Sequence, residues 1–297
     1  MTTTSTLPKL SAAPRIRQRN RVIRKFTRNR MALFGLVIFT LIVIAAVALP
    51  AITAQSPYRT DLRAIRQAPS EAHLLGTDIA GRDVFTRVLY GARISLLVGI
   101  GTITLYGIAG VVFGLIAGYY SGWVDTIIMR ISDTLMSIPT LLVVLMLVTI
   151  TEPNVNNIIF AIAISRFPGI ARLVRGQVLT VKQLEYVSAA RSIGASGYRI
   201  MAVHLLPNIL APVIVSLSFG MASAILAEAS LSFLGVGIRP PEPSWGTMLN
   251  EARSLSVLTE MPWFWIPPGL MTAITVLCAN FMGDGLRDVL DPSMKEV

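Results

Sequence analysis

Ionisable side chains inside apolar stretches are where this sequence could do chemistry. Arg130 with Asp133, Arg166, Glu228, and Asn280 with Asp284 each interrupt a run that is otherwise mostly aliphatic. A charge in hydrocarbon is costly, so such groups face a cavity, a partner or one another. The chemistry open to them is ion pairing, hydrogen bonding and contact with a passing charged solute. Glu228, among small neighbours, is the leading path-lining carboxylate; its alternative is a hydrogen bond holding its helix to a neighbour. Arg166, two residues before Pro168, either lines a path or pairs and snorkels. Arg130 and Asp133 stand three apart on one helical face, which predicts a mutual ion pair, with a gate as the alternative. Asn280 and Asp284 suit helix contacts or an end cap, and Met129, Met136 and Met146 suit packing.

Bond-making chemistry has no residues to carry it. No Gly-Lys-Ser or Gly-Lys-Thr phosphate loop, no His-Glu-x-x-His and no Gly-x-Ser-x-Gly occurs. The two histidines, His73 and His204, fall on opposite sides of the predicted membrane. Cys278 is the single cysteine, which excludes an internal disulfide and a cysteine-based metal site. The reading is a non-enzyme with no cofactor and no metal of its own.

The elements that must position these residues are membrane spans. The chain has 297 residues, 53% hydrophobic and 14% charged, with mean hydropathy +0.65. That is too apolar for an ordinary soluble domain. A bilayer core takes roughly 20 apolar residues as helix, and six segments qualify: 31–52, 94–119, 124–150, 156–173, 208–237 and 263–282. The fifth is long enough to tilt or to continue past the membrane. The net charge of +10 sits largely in the tail before the first span, with Arg15, Arg17, Arg19, Arg21, Arg24, Lys25, Arg28 and Arg30. Positive-inside topology explains it better than nucleic acid, for which interleaved aromatics are missing. The same rule places both termini, and the basic stretch from Arg172 to Arg199, in the cytoplasm. The loop 151–157, free of Lys and Arg, falls outside. In the outer segment 54–91, helical spacing of Val84, Val88 and Leu89 predicts a helix from Asp83 to Ser95 lying along the interface. Gly110, Gly114 and Gly118 form a flat groove on the second span, suited to close helix packing within the chain.

One polar stretch between the fourth and fifth spans has an ordered pattern. Glu185-Tyr-Val-Ser-Ala-Ala-Arg-Ser-Ile-Gly194 reads as a short amphipathic helix ended by a glycine, and His204-Leu-Leu-Pro207-Asn208 as the opening of the next helix. Small Ala189 and Ala190 let the helix lie close to a partner surface, and Glu185, Arg191 and Arg199 can pair with a partner's charges.

This stretch resembles the coupling loop of ABC importer permeases, whose pattern is Glu-Ala-Ala, three residues, Gly, nine residues, then Ile-x-Leu-Pro. Ala189, Ala190, Gly194, Leu206 and Pro207 fall on that spacing. Ser188 stands at the Glu position and His204 at the Ile position, with Glu185 three places earlier as the alternative acidic contact. The stretches His73–Gly99, Ala229–Gly235, Pro243–Leu249 and Gly283–Pro292 are similar to the C-type permease of the dipeptide, oligopeptide and nickel importers. The resemblance implies an all-α integral membrane protein with six transmembrane helices in the type I importer permease fold, one peripheral helix plus a five-helix core. It divides the chain into a basic cytoplasmic tail (1–30), a first span (31–53), an extracytoplasmic segment with its interfacial helix (54–91), a core (92–288) containing the coupling loop (183–208), and a cytoplasmic C-terminus (289–297).

It also implies partners: a homologous B-type permease, two cytoplasmic ATPase subunits that bind ATP and magnesium, and an extracytoplasmic solute-binding protein, all at the lipid bilayer of a bacterial-type inner membrane. The ATPase contact would fall on Glu185, Ser188, Ala189, Ala190, Arg191, Gly194, Ala195 and Pro207. Short peptides are the expected substrates, with glutathione or a nickel chelate as alternatives. A stand-alone secondary transporter or channel is the distant alternative, and a membrane scaffold leaves the 185–208 stretch unexplained.

Overall fold

A computed structural model describes residues 27–48, 55–151 and 154–290. The basic tail up to residue 26, the end of the first predicted span, part of the 151–157 loop and the C-terminal segment from 291 lie outside the described residues. Among the described residues the regular structure is helical, with one isolated bridge between Thr77 and Asp83.

Helix α1 (Arg30–Val47) is apolar on all sides and starts at Asn29, whose side chain accepts from the Met31 and Ala32 N–H groups at 3.1 Å. The same amide donates to Asp288 Oδ2 at 2.9 Å near the end of the last helix, α10 (Pro262–Leu290). Gly35 lies against α10; a Cβ there would sit 2.9 Å from the Cys278 carbonyl oxygen. Only one stripe of α1 is buried, while Leu33, Phe34, Val37, Leu41 and Ile44 face outward. This is the packing of a peripheral helix.

Helix α2 (Val84–Tyr120) runs 37 residues, about 55 Å and well beyond a hydrocarbon core of about 30 Å. The separate interfacial helix expected at 83–95 is corrected here: those residues are the first turns of α2. Asp83 caps the helix, its Oδ1 accepting from Thr86 N–H at 2.7 Å. Asp83, Thr86, Arg87 and Ser95 of these turns are enclosed by protein, while Arg93 is exposed. Arg87 is fully buried between Asp78 and Glu251.

The third span is also corrected. It breaks into α3 (Gly122–Ser137) and α4 (Thr140–Thr151), bent by 92°. Pro139 forces Ile138 into an extended conformation, φ −95° and ψ 130°. Helix α5 (Val155–Val181) runs through Pro168 without a stop. Asp125 of α3 pairs with Arg175 of α5 at 2.5 Å, and Asp133 pairs with Arg172. Eight residues of α3 thus answer to three of α5, so α3 lies across α5 and not along it. The expected Arg130–Asp133 pair does not form, because the transverse α3 turns Asp133 to α5 and leaves Arg130 exposed.

Five helices among the described residues are long and apolar enough to cross a membrane, and the bent pair makes a sixth crossing. Its crossing is required by the ends it joins. Lys182, just after α5, donates to the Gly118 carbonyl at 2.8 Å and to Ser121 Oγ at 2.7 Å. The C-terminal ends of α2 and α5 therefore share one side, and α3 with α4 must carry the chain back between them. Leu173, Gln177, Asn208, Pro212 and Arg287 line one cavity of ≈ 520 Å³, so α10 ends on that side too.

The remaining elements are α6 (Glu185–Ser192), α7 (Gly197–Phe233), α8 (Trp245–Glu251) and α9 (Leu255–Glu260). At the far side, α8 seals the bundle. Trp245 is fully buried, its indole N–H donating to the Val88 carbonyl at 3.0 Å. Asp78, Arg82, Arg87 and Glu251 form a network that binds segment 55–83, α2 and α8 together.

The glycine groove of α2 receives α5. A Cβ on Gly110 would lie 2.6 Å from Ile170 Cβ, one on Gly114 2.6 Å from Val174 Cβ, and one on Gly118 2.7 Å from Val178 Cβ. Backbones this close gain dispersion contacts that lipid tails cannot match. Gly114→Val is expected to destabilise the folded subunit in detergent by about 1–3 kcal/mol through overpacking. Gly176→Ala, where an added Cβ meets nothing within 4 Å, should leave the thermal transition unchanged. Equal melting of the two variants would contradict the packing.

Candidate functional site

Segment 183–208 is built as a bracket between α5 and α7. Helix α6 starts in an extended turn at Leu184 and ends at Ile193. Gly194 follows with φ +82°, the left-handed conformation that a side chain opposes. Ala195 N–H donates to the Ala190 carbonyl at 3.1 Å and Gly194 N–H to the Arg191 carbonyl at 3.0 Å. These two bonds close the helix end by the Schellman pattern. Ser196 then starts α7, and Gly197 sits against Tyr119 of α2, where a Cβ would meet the ring at 3.0 Å.

Pro207 lies in the first turn of the α-helical stretch Leu206–Phe233, as its position suggests, but that stretch continues α7 and starts no separate helix; Pro207 falls ten residues after Gly197. A π-helical turn at Ile200–Leu205 precedes it. The wider turn relieves the clash between the proline ring and the preceding carbonyls. The reading of Ala190 changes: it is buried, on the same face of α6 as Val187, which packs in the apolar cluster with Val178, Val181, Ile200 and Leu205. Only Ala189 of the pair is free to approach a partner. Glu185, Ser188, Arg191, Gly194 and Pro207 are exposed, and Ala195 is half-buried. The Arg191 guanidinium lies 6.0 Å from the centre of the Tyr119 ring.

The outward face carries apolar side chains that pattern matching passed over. Ile193 is 86% exposed and Tyr198 79%, with Leu184 and Tyr186 also open. Ile193 was visible in the sequence as an apolar residue directly before a helix-ending glycine in a polar stretch. An outward side chain there has no role within the helix and marks a contact surface.

Within the bundle, Arg166 and Glu228 occupy different settings. Glu228 is fully buried; Ser95 Oγ of α2 donates to its Oε2 at 2.9 Å and Ser232 Oγ to its Oε1 at 2.8 Å. Ser95 Oγ also accepts from Trp245 N–H at 3.4 Å. The carboxylate thus ties α2, α7 and α8 into one node and is sealed from any path in this arrangement. Arg166 instead lines a cavity between α4, α5 and α7. Asn280 is half-buried and Asp284 exposed; the helix contact at that end is made by Asp288, which accepts from the Asn29 side chain. On the far side, burial and then the Glu242 carboxylate raise the Tyr58 phenol above its ordinary range, its hydroxyl donating to Glu242 Oε2 at 3.1 Å.

Among the described residues no cluster of three or more His, Cys, Asp or Glu side chains could hold a metal. His73 pairs with Asp83 at 3.0 Å on the far side, and His204 lies tilted beside Tyr186 on the other, ring centres 6.2 Å apart. What the molecule offers is one exposed amphipathic bracket and an arginine that lines a cavity within the bundle.

The Glu228 node makes a prediction. Glu228→Gln retains an acceptor and a donor for the two serines and should leave folding yield and thermal stability close to wild type. Glu228→Leu strands both hydroxyls and should cost about 1–3 kcal/mol. Indistinguishable unfolding of wild type and Glu228→Leu in detergent would count against the node.

Comparison with known proteins agrees with this geometry. The family described as binding-protein-dependent transport system inner membrane component matches residues 110–296, from the glycine groove through the rest of the core and into the C-terminal segment. The N-terminal TM domain of oligopeptide transport permease C matches residues 18–69. The chain is 42% identical over 272 residues to the dipeptide transport system permease protein DppC of Alkalihalophilus pseudofirmus, covering 92% of this chain and 89% of that one. It is 44% identical over 273 residues to the glutathione transport system permease protein GsiD of Pectobacterium atrosepticum, covering 92% and 90%. With DppC of Haemophilus influenzae the identity is 40% over 277 residues, 91% and 93% of the two chains. Matched along both its peripheral helix and its core, the chain belongs to the binding-protein-dependent transport system inner membrane components, the permease subunits of ABC importers, in their C-type branch.

Proposed function

We propose that this chain is one of two homologous membrane subunits of an importer that moves short peptides inward at the expense of ATP. A B-type permease completes the path. Two ATPase subunits bind the ATP and magnesium, and one of them docks on the Leu184–Arg199 bracket; this chain contributes no catalytic group and no cofactor site. A solute-binding protein delivers substrate to the opposite face, at segment 55–83 and α8. The bracket end, with Arg172, Arg175, Lys182, Arg191 and Arg199, lies in the cytoplasm with both termini, as the positive-inside rule requires.

The observation that carries this reading is the outward face of the bracket. Ile193 and Tyr198 stand almost fully exposed beyond the ends of α2 and α5, on an element fixed by its own hydrogen bonds. Apolar anchors on a rigid support are what a docking contact needs. The peptide assignment draws on the dipeptide permeases among the relatives. Glutathione is a second substrate reading, favoured by the 44% identity to the glutathione permease; it is itself a tripeptide and asks for the same path.

Two measurements test the proposal. In the reconstituted complex, Ile193→Asp combined with Tyr198→Asp should lower substrate-stimulated ATP hydrolysis by about tenfold or more, each lost anchor costing about 2 kcal/mol of docking. The subunit should still insert with its partner permease. Stimulation at the wild-type level would remove the docking assignment. On a Cys278→Ser background, Glu242→Cys should react with an impermeant thiol reagent added to intact cells and Ser196→Cys should not. The reverse pattern would invert the topology.

A further inference from the structure

Arg166 is set apart from the paired arginines of the bundle, and by its buried Nε from the exposed ones. Arg172 and Arg175 on the same helix each hold an aspartate of α3, and Arg87 is enclosed by Asp78 and Glu251. Arg166 makes no hydrogen bond or ion pair among the described residues, and its Nε is a buried donor without an acceptor. It lies eleven residues into α5, about 17 Å from one end of the helix and about 22 Å from the other at 1.5 Å per residue. That is mid-depth in the membrane, where an unpaired guanidinium is tolerated only if it faces a cavity or a partner.

The cavity is there. Arg166 lines a space of ≈ 330 Å³, open on one side, with Thr140 and Leu141 of α4 and Ser223, Ala227 and Ser230 of α7. No acidic side chain lines it. Ser223, Ala227 and Ser230 recur at the spacing of one helical face, whereas Glu228 and Ser232 turn to α2 and α8 on the other. Glu228, engaged on that other face, therefore does not neutralise the cation. The space is large enough for a small terminal group, and Ser230 and Thr140 add hydroxyl donors around it, while Ser223 donates to the Phe219 carbonyl at 3.3 Å. Thr140 and Leu141 belong to the first turn of α4, opened by the break at Pro139, where helix N–H groups lack intrahelical acceptors.

We infer that Arg166 and this cavity form a transient site for a carboxylate of the passing substrate, specifically the C-terminal α-carboxylate of a short peptide. A planar guanidinium matches a carboxylate with two parallel N–H donors. Neutral hydroxyls, with no second cation in the lining, keep the site weak enough to release its ligand, as a path requires. The inference rests on the peptide reading above and adds to it the residue that senses the peptide's terminal charge. An acidic side chain of the partner permease is the competing occupant, and assembly distinguishes it.

The test uses the complete complex in proteoliposomes with its solute-binding protein, supplied with dialanine or dialanine C-terminal amide, each at a concentration that saturates the binding protein. Wild type should move the free acid faster than the amide. Arg166→Gln should lower uptake of the acid by about tenfold and abolish the preference, and Arg166→Lys should keep most of both. Subunit stoichiometry, measured on the purified complexes, should be the same in all three. Wild-type uptake and preference in Arg166→Gln would overturn the carboxylate site and leave the peptide reading standing. Loss of assembly in Arg166→Gln would assign the arginine to a subunit contact and also overturn it. If wild type moves neither compound, both readings fall together.

Discussion

The close approach of α2 and α5 is the constraint on which the other arrangements rest. Gly110, Gly114 and Gly118 leave no room for even a Cβ between α2 and the Ile170, Val174 and Val178 side chains. In lipid there is no water to expel between helices, so association depends on such fitted contact. The groove fixes the rotation of α5 about its axis. That rotation decides which face α5 gives to α3, where Arg172 and Arg175 collect the aspartates, and where Arg166 emerges. It also sets the point at which α5 leaves the bundle, pinned by Lys182 to the Gly118 carbonyl.

The two ends of the bundle are finished by opposite means. On the Trp245 side, charges are enclosed: Asp78, Arg82, Arg87 and Glu251 pair with one another across three elements, and Trp245 closes the core beneath them. Removing one member of such a set leaves a buried charge unmatched, which is more costly than the set is stabilising. That side is therefore held in one arrangement. On the Gly194 side, the charges are exposed and the apolar residues Ile193 and Tyr198 point outward. A free surface of that kind is completed by another protein. In the importer reading, the rigid side meets the solute-binding protein and the incomplete side meets the ATPases.

Much of this was legible in the sequence, and the failures have physical causes. Five spans and the glycine groove could be read because bilayer thickness and close helix contact each impose a simple length or spacing. The Gly194 helix end was legible because a left-handed cap nearly requires glycine. What one helix does to another was not legible. Asp133 was assigned to Arg130 by spacing, yet α3 turns across α5 and gives it to Arg172. Pro139 was in plain view within the third span, but only the packing of α4 against α5 shows that it makes a corner where Pro168 does not. Ala190 was placed outward by motif and lies inward because Val187, one helical turn earlier, anchors the same face. Arg87 was passed over altogether, since an arginine near a span end reads as interfacial until its two carboxylates are found.

The bracket's position gives the importer reading its mechanical content. It is joined at one end to α5 and at the other to α7, and Gly197 and Arg191 both rest on Tyr119 of α2. A push on Ile193 and Tyr198 therefore reaches three spans at once. The α2–α5 groove has no slack to absorb it, and α6 is closed by its own cap. The softer element is the π turn at Ile200–Leu205, where the hydrogen-bond register is already displaced ahead of Pro207. Motion admitted there would pass along α7, whose far half carries Ser223 and Ser230 beside Arg166 on one face and Glu228 on the other. With Glu228 holding α7 to α2 and α8, the face free to shift is the one that borders the cavity.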